Sequence, residues 1–108
     1  MSTWITRALG LALFALTAAS SAADEFPSRP ITIVVPFGAG SGSDIAARFY
    51  ARSLKEKLNA TAVVELKPGA AGMIAGQQVA RAAPDGYTVL MGSGTVNAAN
   101  YPLFRDQI

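Results

Sequence analysis

The residues best placed to do chemistry fall in one stretch, where Gly38, Gly40 and Gly42 alternate with Ala39, Ser41 and Ser43 and end at Asp44. Glycines at this density allow positive φ, and without Cβ atoms a ligand can approach the peptide N–H groups closely. Ile-Thr-Ile-Val-Val-Pro-Phe at 31–37 precedes the run and a helix-compatible segment follows it, so Ser43 or Asp44 is expected to cap a helix. A strand, a glycine loop and a helix N-terminus with unpaired donors make a generic cradle for an anionic group. Two further loops share this chemistry. Lys-Pro-Gly-Ala-Ala-Gly at 67–72 offers Gly69, Ala70 and Gly72, and Gly-Ser-Gly-Thr-Val-Asn at 92–97 offers side-chain donors on Ser93, Thr95 and Asn97. Plain turn or cap chemistry explains the same side chains equally well, and Phe37 reads as a packing residue or as a ligand platform.

Other chemistries find less support. The chain has no histidine and no cysteine, which removes a Ser–His pair, a histidine metal site, thiol catalysis and any disulfide from within it. The first loop lacks the Gly-Lys-Ser/Thr of a phosphate-binding P-loop, and neither Ser41 nor Ser93 lies in a Gly-x-Ser-x-Gly frame. Asp44, Glu56, Glu65 and Asp85 are isolated carboxylates without an evident acid/base pairing. A dinucleotide-dependent enzyme is the strongest catalytic alternative: Gly38-x-Gly40-x-x-Ser43 follows a strand, and Glu65 at the end of the next strand stands where a ribose acceptor would. Its third glycine is missing, and it leaves the other two loops unexplained. Backbone N–H groups, small hydroxyls and amides suit binding without turnover, and no cofactor or metal is expected. A small exported structural domain without a ligand is the third reading.

The elements that must position these loops are legible in the pattern. Residues 31–35 are short, continuously apolar and β-branched, as in a strand buried on both faces. A helix is expected over 44–58, with Ala47, Ala51, Leu54 and Leu58 as its apolar stripe, Tyr50 at the edge, Arg48, Arg52, Lys55 and Lys57 on a solvated face, and Asn59 as C-cap. Ala-Val-Val-Glu-Leu at 62–66 is a second strand, 73–82 a second helix, and Ala-Pro-Asp-Gly at 83–86 a turn. Residues 87–91 form a third strand, and the rest reads as loop, with Pro102 a breaker and Leu103 and Phe104 docking residues. Asp24 to Pro30 is an extended lead-in held by Pro27 and Pro30. The order βαβαβ predicts an α/β fold, a parallel sheet with flanking helices and right-handed crossovers, whose loops all leave the carboxyl edge where such sheets bind ligands.

At 108 residues the chain allows one domain, and residues 1–23 read as a secretory signal peptide. Arg7 supplies the positive region, 8–19 the apolar core, and Ser20, Ser21, Ala22 and Ala23 the small residues for cleavage after Ala22 or Ala23. The apolar run is shorter than the roughly 20 residues of a spanning helix. Residues 24–108 carry eight basic and seven acidic side chains, scattered and without interleaved aromatics, which does not describe a nucleic-acid surface.

Pro-Ile-Thr-Ile-Val-Val-Pro-Phe at 30–37, the glycine loop ending in Asp44, the Ala47-Arg48 pair, Val64-Glu65, Lys67-Pro-Gly-Ala70, Gly72 and Ala-Pro-Asp-Gly-Tyr-Thr at 83–88 together resemble the opening of a Bug-type receptor. These TctC-family proteins are the substrate-binding receptors of tripartite tricarboxylate transporters. The chain departs from the family's usual pattern at Gly38-Ala-Gly-Ser41, at Leu66-Lys67 in place of Asn-Arg, and at Ala71 in place of a glycine. The resemblance implies a periplasmic clamshell receptor that captures a small carboxylate and hands it to membrane transporter subunits, with this chain supplying the incomplete first part of one domain. It implies that the first loop's N–H groups hold one carboxylate, with Asp44 capping the helix and ordering water.

Overall fold

A computed structural model describes residues 25–99. The expected signal peptide over 1–23 and the breaker and docking residues Pro102, Leu103 and Phe104 lie outside the described residues.

Strand β1 (Ile31–Val35) is central. Its β-branched side chains suit a strand covered on both faces, and all but the half-buried Thr32 are buried. It pairs in parallel with β2 (Ala62–Leu66) from Ile31 opposite Ala62 to Val35 opposite Leu66, and with β3 (Thr88–Leu90) from Thr32 opposite Thr88 to Val34 opposite Leu90. The spatial order is β2-β1-β3. Strand β3 is shorter than the expected 87–91. Its neighbours still carry the ladder's terminal bonds, the Thr32 N–H donating to the Tyr87 carbonyl at 2.7 Å and the Met91 N–H to the Val34 carbonyl at 2.8 Å.

Helix α1 (Gly42–Leu58) follows β1. It begins two residues before the expected start because Ser41 is the N-cap, its hydroxyl oxygen accepting the Asp44 N–H at 3.2 Å. Ser43 and Asp44 therefore lie inside the first turn and are not caps. The C-terminus is as expected: Asn59 takes a left-handed conformation at φ 50° and donates its N–H to the Leu54 carbonyl. Ala47 is fully buried against Ile33 and Val35, with Ala51, Leu54, Val64, Leu66 and Met91 around them. Leu58 was expected in this stripe but is 56% exposed. Seventeen helical residues span about 25 Å and a five-residue strand about 17 Å, so the last turn overhangs the sheet.

Helix α2 (Met73–Arg81) packs against β3 and β1, with Ala75 buried. Right-handed crossovers place it on the face opposite α1. Alternation along β1 agrees: Ile33 and Val35 join the α1 cluster, while the fully buried Val34 points the other way. The helix ends one residue before the expected Ala82, which is extended at ψ 156° on the approach to Pro84. In the turn that follows, Gly86 has φ 82° and the Asp85 carboxylate accepts the Tyr87 N–H at 3.0 Å.

The lead-in to β1 docks on that turn. The Ser28 N–H donates to the Tyr87 hydroxyl at 2.8 Å, Arg29 donates to Asp85 at 2.6 Å, and the Arg29 guanidinium lies 4.0 Å over the Tyr87 ring. Prolines predict an extended lead-in but say nothing of its partner. Thr95–Ala99 forms a π-helical turn where the pattern reads as loop, held by the Asn97 N–H on the Ser93 carbonyl at 2.9 Å.

Candidate functional site

All three strands are parallel, so the loops after β1, β2 and β3 leave the same edge, with the first loop in the middle. The chain runs outward from β1 to β2, then crosses back over β1 to β3. That reversal is a topological switch point, where neighbouring loops part and leave a crevice at the strands' carboxyl ends.

The first loop is organised by two side chains. Ser41 caps α1, and its own N–H donates to the Gly38 carbonyl at 3.3 Å. Asp44, 4% exposed, reaches backward so that one carboxylate oxygen accepts the Gly40 N–H at 2.9 Å and the other accepts Arg48 Nε at 2.8 Å. The arrangement is a variant of the capping box, with the acidic side chain satisfying the N–H one residue before the cap. Gly40 has φ 78°, the left-handed conformation that makes this reach possible.

Two expectations change in consequence. The Gly40 N–H is occupied by Asp44 and is not a free ligand donor. Asp44, with both oxygens engaged and its carboxylate buried, neither caps the helix nor faces the open edge. The donors left open at this helix start are the N–H groups of Gly42 and Ser43, which make no hydrogen bond among the described residues. Gly38 and Ala39 are exposed at the loop crest and Phe37 is half-buried behind it. Arg48, read from sequence as part of a solvated face, is the residue that was missed. Its signal was present: an acid in the first helical turn with an arginine four residues on.

The second loop is anchored where the Lys67 N–H donates to the Val35 carbonyl at 2.8 Å. Beyond it, four consecutive residues take positive φ: Gly69 at 131°, Ala70 at 46°, Ala71 at 53° and Gly72 at 87°. Ala70–Gly72 forms a single tight turn leading into α2, with Gly69 and Ala70 exposed. Gly72, expected as a contact residue, is instead buried, with Val96 and Pro36 filling the space a Cβ would need. Its role is to let two loops pack.

In the third loop Ser93 serves its own backbone, its hydroxyl oxygen accepting the Val96 N–H at 3.4 Å. Asn97 folds its amide over Gly92, where a Cβ would collide with it. Thr95 is exposed. Glu65, the ribose acceptor of the dinucleotide reading, has one oxygen 3.1 Å from Lys67 Nζ and the other accepting Gln78 Nε2 at 3.3 Å. Among the described residues the edge therefore presents backbone donors and small polar groups around a pair of open helical N–H groups, an arrangement whose chemistry suits an anion.

Comparison with known proteins gives a consistent result. Residues 46–108 match the family described as the tripartite tricarboxylate transporter family receptor, TctC. A UPF0065 protein of Bordetella pertussis is 54% identical over 81 residues, covering 74% of this chain and 25% of that protein. Among solved structures, the periplasmic binding protein BugD is 52% identical, with a TM-score of 0.57 over 60% of this chain and 22% of BugD. MatC from Rhodopseudomonas palustris, solved with bound malate, is 40% identical, with a TM-score of 0.57 over 60% of this chain and 22% of MatC. The chain spans about a quarter of the length of the curated relatives it matches. With its parallel α/β sheet and glycine-rich carboxyl edge, the chain belongs to the TctC family of tripartite tricarboxylate transporter receptors.

Proposed function

We propose that the chain is the ligand-receiving opening segment of an exported solute-binding receptor for a small carboxylate, which delivers its ligand to membrane transporter subunits. The observation that carries this reading is the first loop: Asp44 takes up the Gly40 N–H and Ser41 the Asp44 N–H, which leaves the Gly42 and Ser43 N–H groups open at the start of α1. A carboxylate there would accept two charge-assisted hydrogen bonds at the positive end of a helix dipole. The bound malate of MatC favours a dicarboxylate, and Gly38, Ala39, Gly69 and Ala70, with Thr95, would receive its far end. Asp44 acts from behind, by fixing the loop. Residues 1–23 would direct export and be removed after Ala22 or Ala23.

The direct test is amide-resolved NMR titration of the chain with succinate and malate. Shifts centred on Gly42 and Ser43 are expected, and a titration that leaves both amides unmoved overturns the reading. N-terminal sequencing of the exported product tests the signal, and intact Met1 in a membrane fraction would contradict it. The dinucleotide reading is disfavoured by the double engagement of Glu65 with Lys67 and Gln78, and saturation by a nicotinamide dinucleotide would revive it.

A further inference from the structure

We propose that Arg48 is the positioning residue that sets the charge of the carboxylate site, by neutralising the buried Asp44 beneath it. The inference rests on the carboxylate-receptor reading. Asp44 is the third residue of α1, directly after the two residues whose N–H groups stay open. Its carboxylate is 4% exposed and is held in place by the Gly40 N–H at 2.9 Å. That placement suits the loop and the helix dipole. It also puts a poorly screened negative charge next to donors meant for an anion, and like charges this close repel strongly when one of them is out of water.

Arg48 resolves the conflict. It stands one helical turn on, donates Nε to the second Asp44 oxygen at 2.8 Å, and keeps 62% of its side chain in solvent. The pair is neutral as a unit, so Asp44 can shape the loop without opposing the ligand. Among the described residues Asp44 forms its ion pair with Arg48 alone. An arginine that only stapled the helix would affect all ligands alike. One that sets charge must matter more for a dianion than for a monoanion.

The experiment is an amide-resolved titration of the full 108-residue chain with succinate and with butyrate at low ionic strength, following Gly42 and Ser43. Arg48→Gln should weaken succinate about tenfold and butyrate about threefold or less, while Arg48→Lys should stay within about twofold of the parent. The double variant Asp44→Asn/Arg48→Gln should regain succinate binding to within about threefold, because both charges are gone. Equal losses for the two ligands, an unaffected Arg48→Gln, or a double variant as weak as the single would each overturn the proposal. If Arg48→Gln loses its dispersed amide spectrum, Asp44→Asn alone decides: with Arg48 unopposed it should bind succinate more tightly than the parent, and weaker or unchanged binding refutes the idea. A parent chain that responds to neither ligand would overturn the receptor reading itself, and this inference with it.

Discussion

Gly72 lies directly beneath Val96 and against Pro36, so the end of the second loop and the helical turn after β3 interlock without room for one methyl group. The contact ties two of the three edge loops to the end of the central strand. Gly72→Ala adds that methyl at φ 87° and should cost about 2–4 kcal/mol, from backbone strain plus overpacking. Urea unfolding measures it. An unchanged midpoint would mean that the two loops are not packed as described.

Ser41 and Gly40 separate stability from binding. Ser41→Ala removes the cap acceptor of α1 and should cost about 1 kcal/mol, while Ser41→Asp should hold near the parent value in thermal unfolding. A Cβ at Gly40 would meet open space, so Gly40→Val acts chiefly through φ 78°. A β-branched residue there should pull the Gly40 N–H off Asp44, disorder the loop and abolish the succinate-induced shifts at Gly42 and Ser43. Ser41→Ala should retain those shifts with a few-fold weaker affinity, and equal losses would contradict a site built from backbone donors.

Ala71 occupies φ 53° with its side chain exposed. An L-residue with a Cβ pays about 1–2 kcal/mol for that conformation, and glycine returns part of the gain as unfolded-chain entropy. Ala71→Gly should therefore raise stability by up to about 1 kcal/mol, read as a higher urea midpoint at constant slope. A lower midpoint would show that the left-handed turn is not the chain's resting conformation.

The chain alone should bind weakly. On the proposed reading the ligand is gripped from two sides, and most of that grip is lost when one side is offered, so succinate should bind with a Kd of about 1–10 mM, weak but within reach of the amide titration. Ile45 and Phe49 are 63% and 66% exposed on α1, and a sheet this small with so much uncovered apolar surface should unfold at low urea. A cooperative transition that moves strongly to higher urea with one carboxylate would show that the chain is a complete binding module.

Local rules determined a good deal of this molecule. The strands at 31–35 and 62–66 follow from β-branched runs bounded by proline and glycine, and the end of α1 at Asn59 follows from a residue that tolerates φ 50°. The βαβαβ order, with the handedness of its crossovers, already put three glycine-rich loops on one edge. Other features depend on which residues folding brings together. The cap fell to Ser41 because Asp44 could turn back to the Gly40 N–H and still meet Arg48, a three-way geometry that spacing permits but does not require. Gly72 became a packing residue only once Val96 arrived from 24 positions away. Leu58 continues the apolar stripe yet stays in solvent, because helical period is local while the length of the sheet beneath it is set by the pairing of β1, β2 and β3. The lead-in's bond to Tyr87 spans 59 residues, and no local pattern encodes a partner at that distance.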